Sequence, residues 1–266
     1  IRPANNVANP VTDKGATLGR IIFYDKQLSV NGAIACGTCH RQASGFSEPG
    51  VTSEGVFGLR TGRHSMRLIN TLYAAEPRFF WDERAVNIED QVTRPMKDHN
   101  EHGFSGEAGR PDFDALIAIM DGNDYYKELF RFVFLDDTIT EARIQSALGQ
   151  FVNSIVSFDS KFDQGRAQVA NNNAPFPNFT AAENAGKTLF MTPPGNNGGG
   201  AGCARCHGGE EFAIVQNSNQ NGVVGVAADP SAFDFTNTRS PALRDLVRTD
   251  GGSNGPFMHD GALAAS

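Results

Sequence analysis

The sequence has little cysteine, little tryptophan and no long hydrophobic run. Its 266 residues include 4 Cys and 1 Trp, and its charged residues give a net charge of −7. No apolar stretch approaches the roughly 20 residues that a membrane-spanning helix needs. The negative charge argues against nucleic acid as a partner and fits a soluble protein that meets a basic partner. A hydrophobic content of 39% is ordinary for one large or two small globular domains.

The four cysteines fall in two copies of one pattern. The copies are Cys36-Gly37-Thr38-Cys39-His40 and Cys203-Ala204-Arg205-Cys206-His207. A Cys-x-x-Cys-His run is the attachment signature of c-type haem, in which both thiols bond to the porphyrin and the histidine binds the iron. We therefore predict two covalently bound haems, with His40 and His207 as iron ligands.

Zinc is the alternative interpretation of paired cysteines. Zinc-binding pairs usually lie about 12–20 residues apart, whereas the gap between Cys39 and Cys203 is far longer. Neither zinc nor a disulfide accounts for the histidine that follows both pairs. The repeated histidine favours haem.

Covalent haem also predicts a cellular location. The attachment chemistry belongs to the oxidising side of the bacterial inner membrane, so we expect a periplasmic protein, either free or tethered to a surface. Because Ile1-Arg2-Pro3 does not resemble the start of a signal peptide, we expect a mature, already processed chain.

Helical patterns dominate the rest of the sequence, and they predict a mainly α fold. Helices are expected over residues 12–30, 85–92, within 111–165 and from Thr180 to about Met191. Within 111–165, Asp112 and Asp124 can each cap a helix, and Thr138-Ile139-Thr140-Glu141 reads as a capping box before a helix whose apolar face includes Ile144 and Leu148. Thr180-Ala181-Ala182-Glu183 reads as a second capping box.

The order helix, turn, Cys-x-x-Cys-His occurs twice, which indicates two cytochrome c-like haem domains with long loops and little β structure. The segment 171–177, rich in proline and asparagine, predicts the boundary between a domain of residues 1–170 and one of residues 171–266.

Shorter motifs around the two haem signatures complete a pattern along nearly the whole chain. They are Leu18-Gly19-Arg20, Phe23-Tyr24-Asp25, Gly45-Phe46-Ser47, Leu68-Ile69-Asn70, Phe80-Trp81-Asp82-Glu83-Arg84-Ala85, Glu101-x-Gly103, Ser240-Pro241-Ala242-Leu243-Arg244 and Pro256-Phe257-Met258-His259-Asp260-Gly261. In their order and spacing they resemble the bacterial dihaem cytochrome c peroxidases and the related MauG-type enzymes.

The resemblance implies unequal roles for the two haems. The N-terminal haem resembles the peroxidatic centre, where Glu101 matches the distal acid that moves a proton between the peroxide oxygens. The C-terminal haem resembles the electron-transferring centre, and Trp81 matches the tryptophan between the haems. Without the resemblance, the sequence favours a solvated loop carboxylate for Glu101 and a buried core aromatic for Trp81.

The resemblance also implies two further sites between the halves. Asn70 and the backbone near Arg239 and Pro241 match the place of a structural calcium ion, which prefers oxygen ligands. Arg244 matches a partner for a haem propionate, and an ordinary surface salt bridge is its alternative.

The chain departs from the family pattern in two places. His64 lies later than the usual second histidine ligand of the peroxidatic iron, so it is either that ligand or a hydrogen-bonding structural residue. The sixth ligand of the C-terminal haem is expected beyond Ser266, with Met258 as the nearer alternative. Methionine there suits a peroxidase, whereas tyrosine favours MauG-like chemistry.

The resemblance predicts a dihaem peroxidase that reduces hydrogen peroxide to water with electrons from a small cytochrome or cupredoxin, and the family commonly forms dimers. Two alternatives remain open at this point. One is a MauG-like enzyme that oxidises residues of a partner protein. The other is a dihaem electron carrier without chemistry of its own.

Overall fold

The fold is mainly helical, as the sequence predicts. The computed structural model describes residues 8–74, 77–195, 199–209, 211–214, 240–248, 250–258, 260–261 and 263. The α-helices of this part of the chain are α1 (Asp13–Tyr24), α2 (Cys36–Cys39), α3 (Ile88–Lys97), α4 (Phe113–Asp121), α5 (Asp124–Phe134), α6 (Glu141–Asn153), α7 (Lys161–Arg166) and α8 (Ala181–Met191). Two short strands, β1 (His207–Gly208) and β2 (Ala213–Ile214), pair antiparallel. None of the helices described is long and apolar enough to cross a membrane.

The first helix is shorter than the predicted 12–30. Thr12 caps its start, since the Gly15 N–H donates to the Thr12 hydroxyl at 3.1 Å. The helix ends at Tyr24 because Asp25 is extended and its carboxylate accepts the Gln27 N–H at 2.8 Å. This local bond offers the backbone an alternative to the helix, and a 3₁₀ turn follows.

Three other helices differ from the prediction at their starts, and two match it. Helix α3 begins later than residue 85 because Asn87 is its cap, and it continues to Lys97 with Met96 buried. Asn123 rather than Asp124 caps α5, and Thr140 rather than Thr138 caps α6. The cap predicted at Asp112 for α4 and the capping box predicted at the start of α8 are both present.

Helix α6 lies at the centre of the core and packs against both α1 and α3. Its buried face includes Ile144 and Leu148, as the sequence periodicity predicts. Gly19 brings α1 close to α6, because a Cβ atom at this position would lie 2.0 Å from the Ala147 carbonyl oxygen. The close crossing places Phe23, near the end of α1, beside the first cysteine motif.

The main core cluster draws on residues between Leu18 and Val152. Helices α7 and α8 and the β1–β2 pair follow it in the chain. The division into domains of residues 1–170 and 171–266 stays a prediction.

Candidate functional site

A cavity of about 460 Å³ brings together several sequence-predicted residues. Its walls include the three haem-binding residues of the first signature, Cys36, Cys39 and His40, together with His64, Trp81 and Glu101. The rest of the wall is mixed: apolar residues such as Phe23, Met66 and Leu148 line it together with polar ones such as Ser53, Arg67 and Arg84. A volume of this size lies within the range of about 300–1,000 Å³ that is usual for small-molecule and cofactor sites.

His40 is held in the tautomer that a metal ligand needs. Its Nδ1 lies 2.9 Å from the Phe46 carbonyl oxygen. A carbonyl only accepts, so Nδ1 carries the proton and Nε2 presents its lone pair. Burial lowers the pKa of His40, which keeps the imidazole neutral.

His207 is held in the same way. Its Nδ1 lies 3.0 Å from the Pro241 carbonyl oxygen, and burial lowers its pKa. Pro241 itself lines the cavity beside the first motif. One hydrogen bond therefore joins the second haem signature to the wall of the first site.

The residues of the cavity fit a c-type haem. Burial raises the pKa of Cys36 to about 12 and that of Cys39 to about 11, so both are protonated thiols at neutral pH. All four cysteines are free of disulfides. Nowhere in the described ranges do three or more His, Cys, Asp or Glu side chains gather as a metal site, so the four cysteines do not form a shared zinc site. Two thiols and a neutral imidazole are the donor set that covalent haem requires.

Glu101 lies on the cavity wall and is half-buried. Its backbone N–H donates to the Asp98 carboxylate at 3.1 Å, which fixes the loop. No described residue donates a hydrogen bond to the Glu101 carboxylate. Burial, with a smaller contribution from the Asp98 charge, raises the pKa of Glu101 to about 7. A carboxyl group with this pKa can both take up and release a proton near neutral pH.

Trp81 and His64 both line the cavity and are joined by a hydrogen bond. The buried Trp81 indole Nε1–H donates to the His64 carbonyl at 2.8 Å. The His64 ring is buried, with Nδ1 2.9 Å from the Gly50 carbonyl and Nε2 3.0 Å from the Ser47 hydroxyl. Both ring nitrogens are therefore engaged by protein groups, and a ligand role for His64 requires the loss of one of these bonds.

Arg244 lies in a buried ion-pair network rather than on the surface. Its guanidinium bonds to both oxygens of Asp163 at 2.9 Å, and its Nε lies 3.1 Å from a Glu211 oxygen. The same Glu211 oxygen accepts the Asn70 amide N–H at 2.7 Å. The network joins the segment around Asn70 to α7, which contains Asp163, and to the later residues Glu211 and Arg244.

The oxygens predicted as calcium ligands on Asn70 and Pro241 each accept a hydrogen bond from the protein. The Asn70 Oδ1 accepts the Ser157 N–H at 2.8 Å, and the Pro241 carbonyl accepts from His207 at 3.0 Å. Both oxygens predicted as ligands are thus committed to hydrogen bonds. Arg239, the third predicted position, lies outside the described residues. Calcium stays a prediction.

Met258 is half-buried in a tight turn, with a positive φ of 74°. The Gly261 N–H donates to its carbonyl at 3.2 Å and closes the turn. A ligand role for Met258 remains a prediction.

Sequence reasoning missed two sets of buried polar residues. Asp163 and Glu211 carry the Arg244 network, but Asp163 reads in sequence only as the third residue of a helix cap. Glu48 and Ser53 form a buried hydrogen-bonded pair beside the first motif, and Ser53 also lies 2.9 Å from the Ser65 hydroxyl. A glutamate in a loop next to Pro49 carries no sequence signal of burial.

The chain is similar to MauG proteins and cytochrome c peroxidases along most of its length. It is 27% identical to the methylamine utilization protein MauG of Methylophilus methylotrophus, over 97% of this chain and 71% of that protein. It is also 27% identical to the cytochrome c551 peroxidase of Nitrosomonas europaea, over 94% of this chain and 69% of the relative.

Solved structures agree in fold. A MauG-like protein associated with microbial copper homeostasis has a TM-score of 0.73 at 24% identity, covering 99% of this chain and 77% of its own. The diheme peroxidase BthA of Burkholderia thailandensis E264 has a TM-score of 0.65 at 19% identity, covering 97% and 70%.

A family match covers more than half of the chain. Residues 13–171 match the family described as di-haem cytochrome c peroxidase. The match includes the first haem signature, Glu101 and Trp81, which share the walls of one cavity. The chain therefore belongs to the di-haem cytochrome c peroxidase and MauG family.

Proposed function

We propose that the protein is a dihaem c-type peroxidase that reduces hydrogen peroxide to water with electrons from a small donor protein. The observation that carries the proposal is the shared cavity of Cys36, Cys39, His40 and Glu101. When bound there, haem supplies the iron that takes up peroxide and exchanges single electrons. The second signature, at Cys203, Cys206 and His207, holds the haem that receives electrons from the donor.

Glu101 is the acid–base residue in this proposal. Its carboxylate accepts a proton from one peroxide oxygen and returns it to the other, so that water becomes the leaving group. A pKa of about 7 makes both directions accessible at neutral pH. The apolar wall residues around the motif exclude bulk water and so limit stray proton transfer.

His40 and Trp81 have positioning and relay roles. The Phe46 carbonyl orients the His40 ring, which keeps Nε2 available on the side away from that bond. The Trp81 indole lies on the wall that Pro241 also lines, and the Pro241 carbonyl holds His207. We assign Trp81 as the aromatic relay between the two halves. His64 supports it through the indole hydrogen bond.

The remaining expectations of the family complete the proposal. The protein works in the periplasm with a small cytochrome or cupredoxin as donor, and it forms a homodimer. Arg244 faces two carboxylates in the network described above, and we assign it first as a structural residue that joins the halves. Contact with a haem propionate is a second role for the same guanidinium.

A MauG-like activity toward a partner protein is the second candidate. It is supported by relatives named methylamine utilization protein MauG, which match the chain as well as the named peroxidases do. A long-lived oxidised spectrum after peroxide is added without donor would favour this candidate. Rapid return of the haem absorption spectrum to that of the resting protein, in the presence of donor, would favour the peroxidase.

The proposal is tested by mixing the chain, loaded with both haems, with hydrogen peroxide and a reduced small cytochrome. We expect two cytochromes to be oxidised for each peroxide consumed, because peroxide needs two electrons to give two waters. A dihaem protein that leaves peroxide unconsumed with every reduced donor would contradict the proposal and indicate a simple electron carrier.

A further inference from the structure

Tyr24 joins the protein surface to the turn that carries the first haem signature. The residue ends α1, and its side chain is 44% exposed. Its ring nevertheless packs directly on Gly37, between the two cysteines. A Cβ atom at Gly37 would lie 2.5 Å from two carbon atoms of the Tyr24 ring. Only glycine allows the phenol ring to approach the turn this closely.

A second contact leads from Tyr24 to the iron ligand. The rings of Tyr24 and Phe23 pack edge to face with centroids 5.1 Å apart. The Phe23 ring lies 6.4 Å from the His40 ring and lines the cavity. Tyr24 therefore touches both the turn between the two cysteines and the aromatic residue beside the histidine.

No other tyrosine has this combination of exposure and contact. The sequence contains 4 Tyr, and all of them lie in the described part of the chain. Tyr126 is buried and donates to Asp25, and Tyr73 is half-buried against Phe158. Tyr125 is 52% exposed, but it lies on α5 and packs on Tyr126. Trp81, the one indole, is buried.

We propose that Tyr24 is a surface site at which the first haem centre oxidises small phenolic reductants one electron at a time. The inference rests on the proposed peroxidase function, which supplies hydrogen peroxide as the oxidant. The Tyr24 phenol gives one electron to the first centre and its hydroxyl proton to water. A phenolic reductant at the surface then returns one hydrogen atom to the phenoxyl group. Two such cycles supply the two electrons and two protons that convert one peroxide to two waters.

A small phenol fits this surface better than it fits the cavity. The cavity is the haem site itself, and it leaves the aromatic edge of Tyr24 outside. Contact with an exposed ring needs no dedicated pocket, because aromatic rings pair edge to face or offset at centroid distances of about 4.5–7 Å. The net charge of −7 does not oppose the approach of a neutral phenol.

The test uses the full chain with both haems, hydrogen peroxide and nitrosobenzene as a spin trap, without donor protein. Peptide mass spectrometry then locates the trapped radical. We expect the adduct on the Tyr24 peptide, its loss in Tyr24→Phe and its retention in Tyr125→Phe, the matched exposed control. The rate of oxidation of a small methoxyphenol should fall in Tyr24→Phe, the same variant that loses the adduct. Haem content and far-UV circular dichroism verify that both variants are folded and loaded.

The outcomes separate the inference from the proposed function. An adduct that persists in Tyr24→Phe, or that lies mainly on Tyr125, overturns the inference. A wild-type protein that oxidises reduced cytochrome with peroxide but yields no Tyr24 adduct also overturns it, while the peroxidase function survives. A wild-type protein that consumes no peroxide overturns both.

Discussion

The Arg244 guanidinium and the Asp163 carboxylate form a two-pronged ion pair in which both N–O distances are 2.9 Å. The side chains are only 5% and 7% exposed, although the residues lie 81 positions apart in the chain. Glu211 adds a second carboxylate to the same guanidinium. A buried pair of this kind stabilises the fold mainly while all its partners are present, because a lone buried charge is costly.

We predict that Arg244→Met lowers the free energy of unfolding by about 3–5 kcal/mol, since it leaves two buried carboxylates without their cation. Denaturant unfolding of the haem-loaded chain measures the change. Arg248→Met is the matched control, because the Arg248 pair with Asp250 is exposed and should contribute far less to stability. Equal losses in the two variants would show that the Arg244 network is no more than a surface ion pair.

The Arg244 network marks a limit of what sequence predicts. The helices follow from local signals such as caps and spacing, and the capping box of Thr180 and Glu183 was predicted with its partners. The haem signatures are equally local. In contrast, the Arg244 pairing depends on how distant segments meet. No pattern around Asp163 or Glu211 reveals that meeting, so the sequence left a surface salt bridge open as an alternative for Arg244.

In the candidate site, too, local motifs are predictable from the sequence, whereas contacts between distant segments are not. Glu101 was assigned by resemblance alone, since a glutamate in a polar loop reads as solvated. The structure places it on the cavity wall with a raised pKa, which depends on the packing of the loop against residues around Val56. Helix ends were wrong by several residues where a side chain outside the pattern, such as Asn87 or Asp25, capped or stopped the helix.

The pH dependence of turnover should report Glu101. Burial raises its pKa to about 7, so the proton-accepting carboxylate is the minor form below that pH. We expect peroxide turnover to rise with pH up to about 7 and to fall about tenfold per unit below it. Stopped-flow rates between acid and neutral pH measure this acidic limb of the pH–rate profile. In Glu101→Gln the limb should disappear, and an unchanged limb would assign it to another group.

Trp81→Phe should slow donor-driven turnover without loss of haem. The change removes the indole relay and leaves the His64 carbonyl without its hydrogen bond, at a cost of about 1–3 kcal/mol in stability. Peroxide-dependent oxidation of reduced cytochrome at saturating donor measures the effect. Phe130→Leu, a change in an equally buried aromatic residue of α5, should cost stability but leave turnover intact. Equal turnover in the wild type and Trp81→Phe would exclude the relay.

Each haem signature should hold one haem independently of the other. The double variant Cys36→Ala, Cys39→Ala should retain one covalent haem of two, and Cys203→Ala, Cys206→Ala should retain the other. Pyridine haemochrome absorbance per chain measures the content. Only the variant that keeps the first signature should bind peroxide. Zinc instead of haem in the wild type, or one haem shared by both signatures, would contradict the assignment.

The central claim is that Glu101 and the Cys36–His40 motif form one peroxide-reducing site, and the most direct test is the turnover of Glu101→Gln. Glu107→Gln, a change in an exposed carboxylate of the same loop, is the control. With haem content equal in all three proteins, peroxide-dependent oxidation of a reduced small cytochrome should fall by about 10²–10⁴-fold in Glu101→Gln and stay at the wild-type rate in Glu107→Gln. Wild-type turnover in Glu101→Gln would contradict the account.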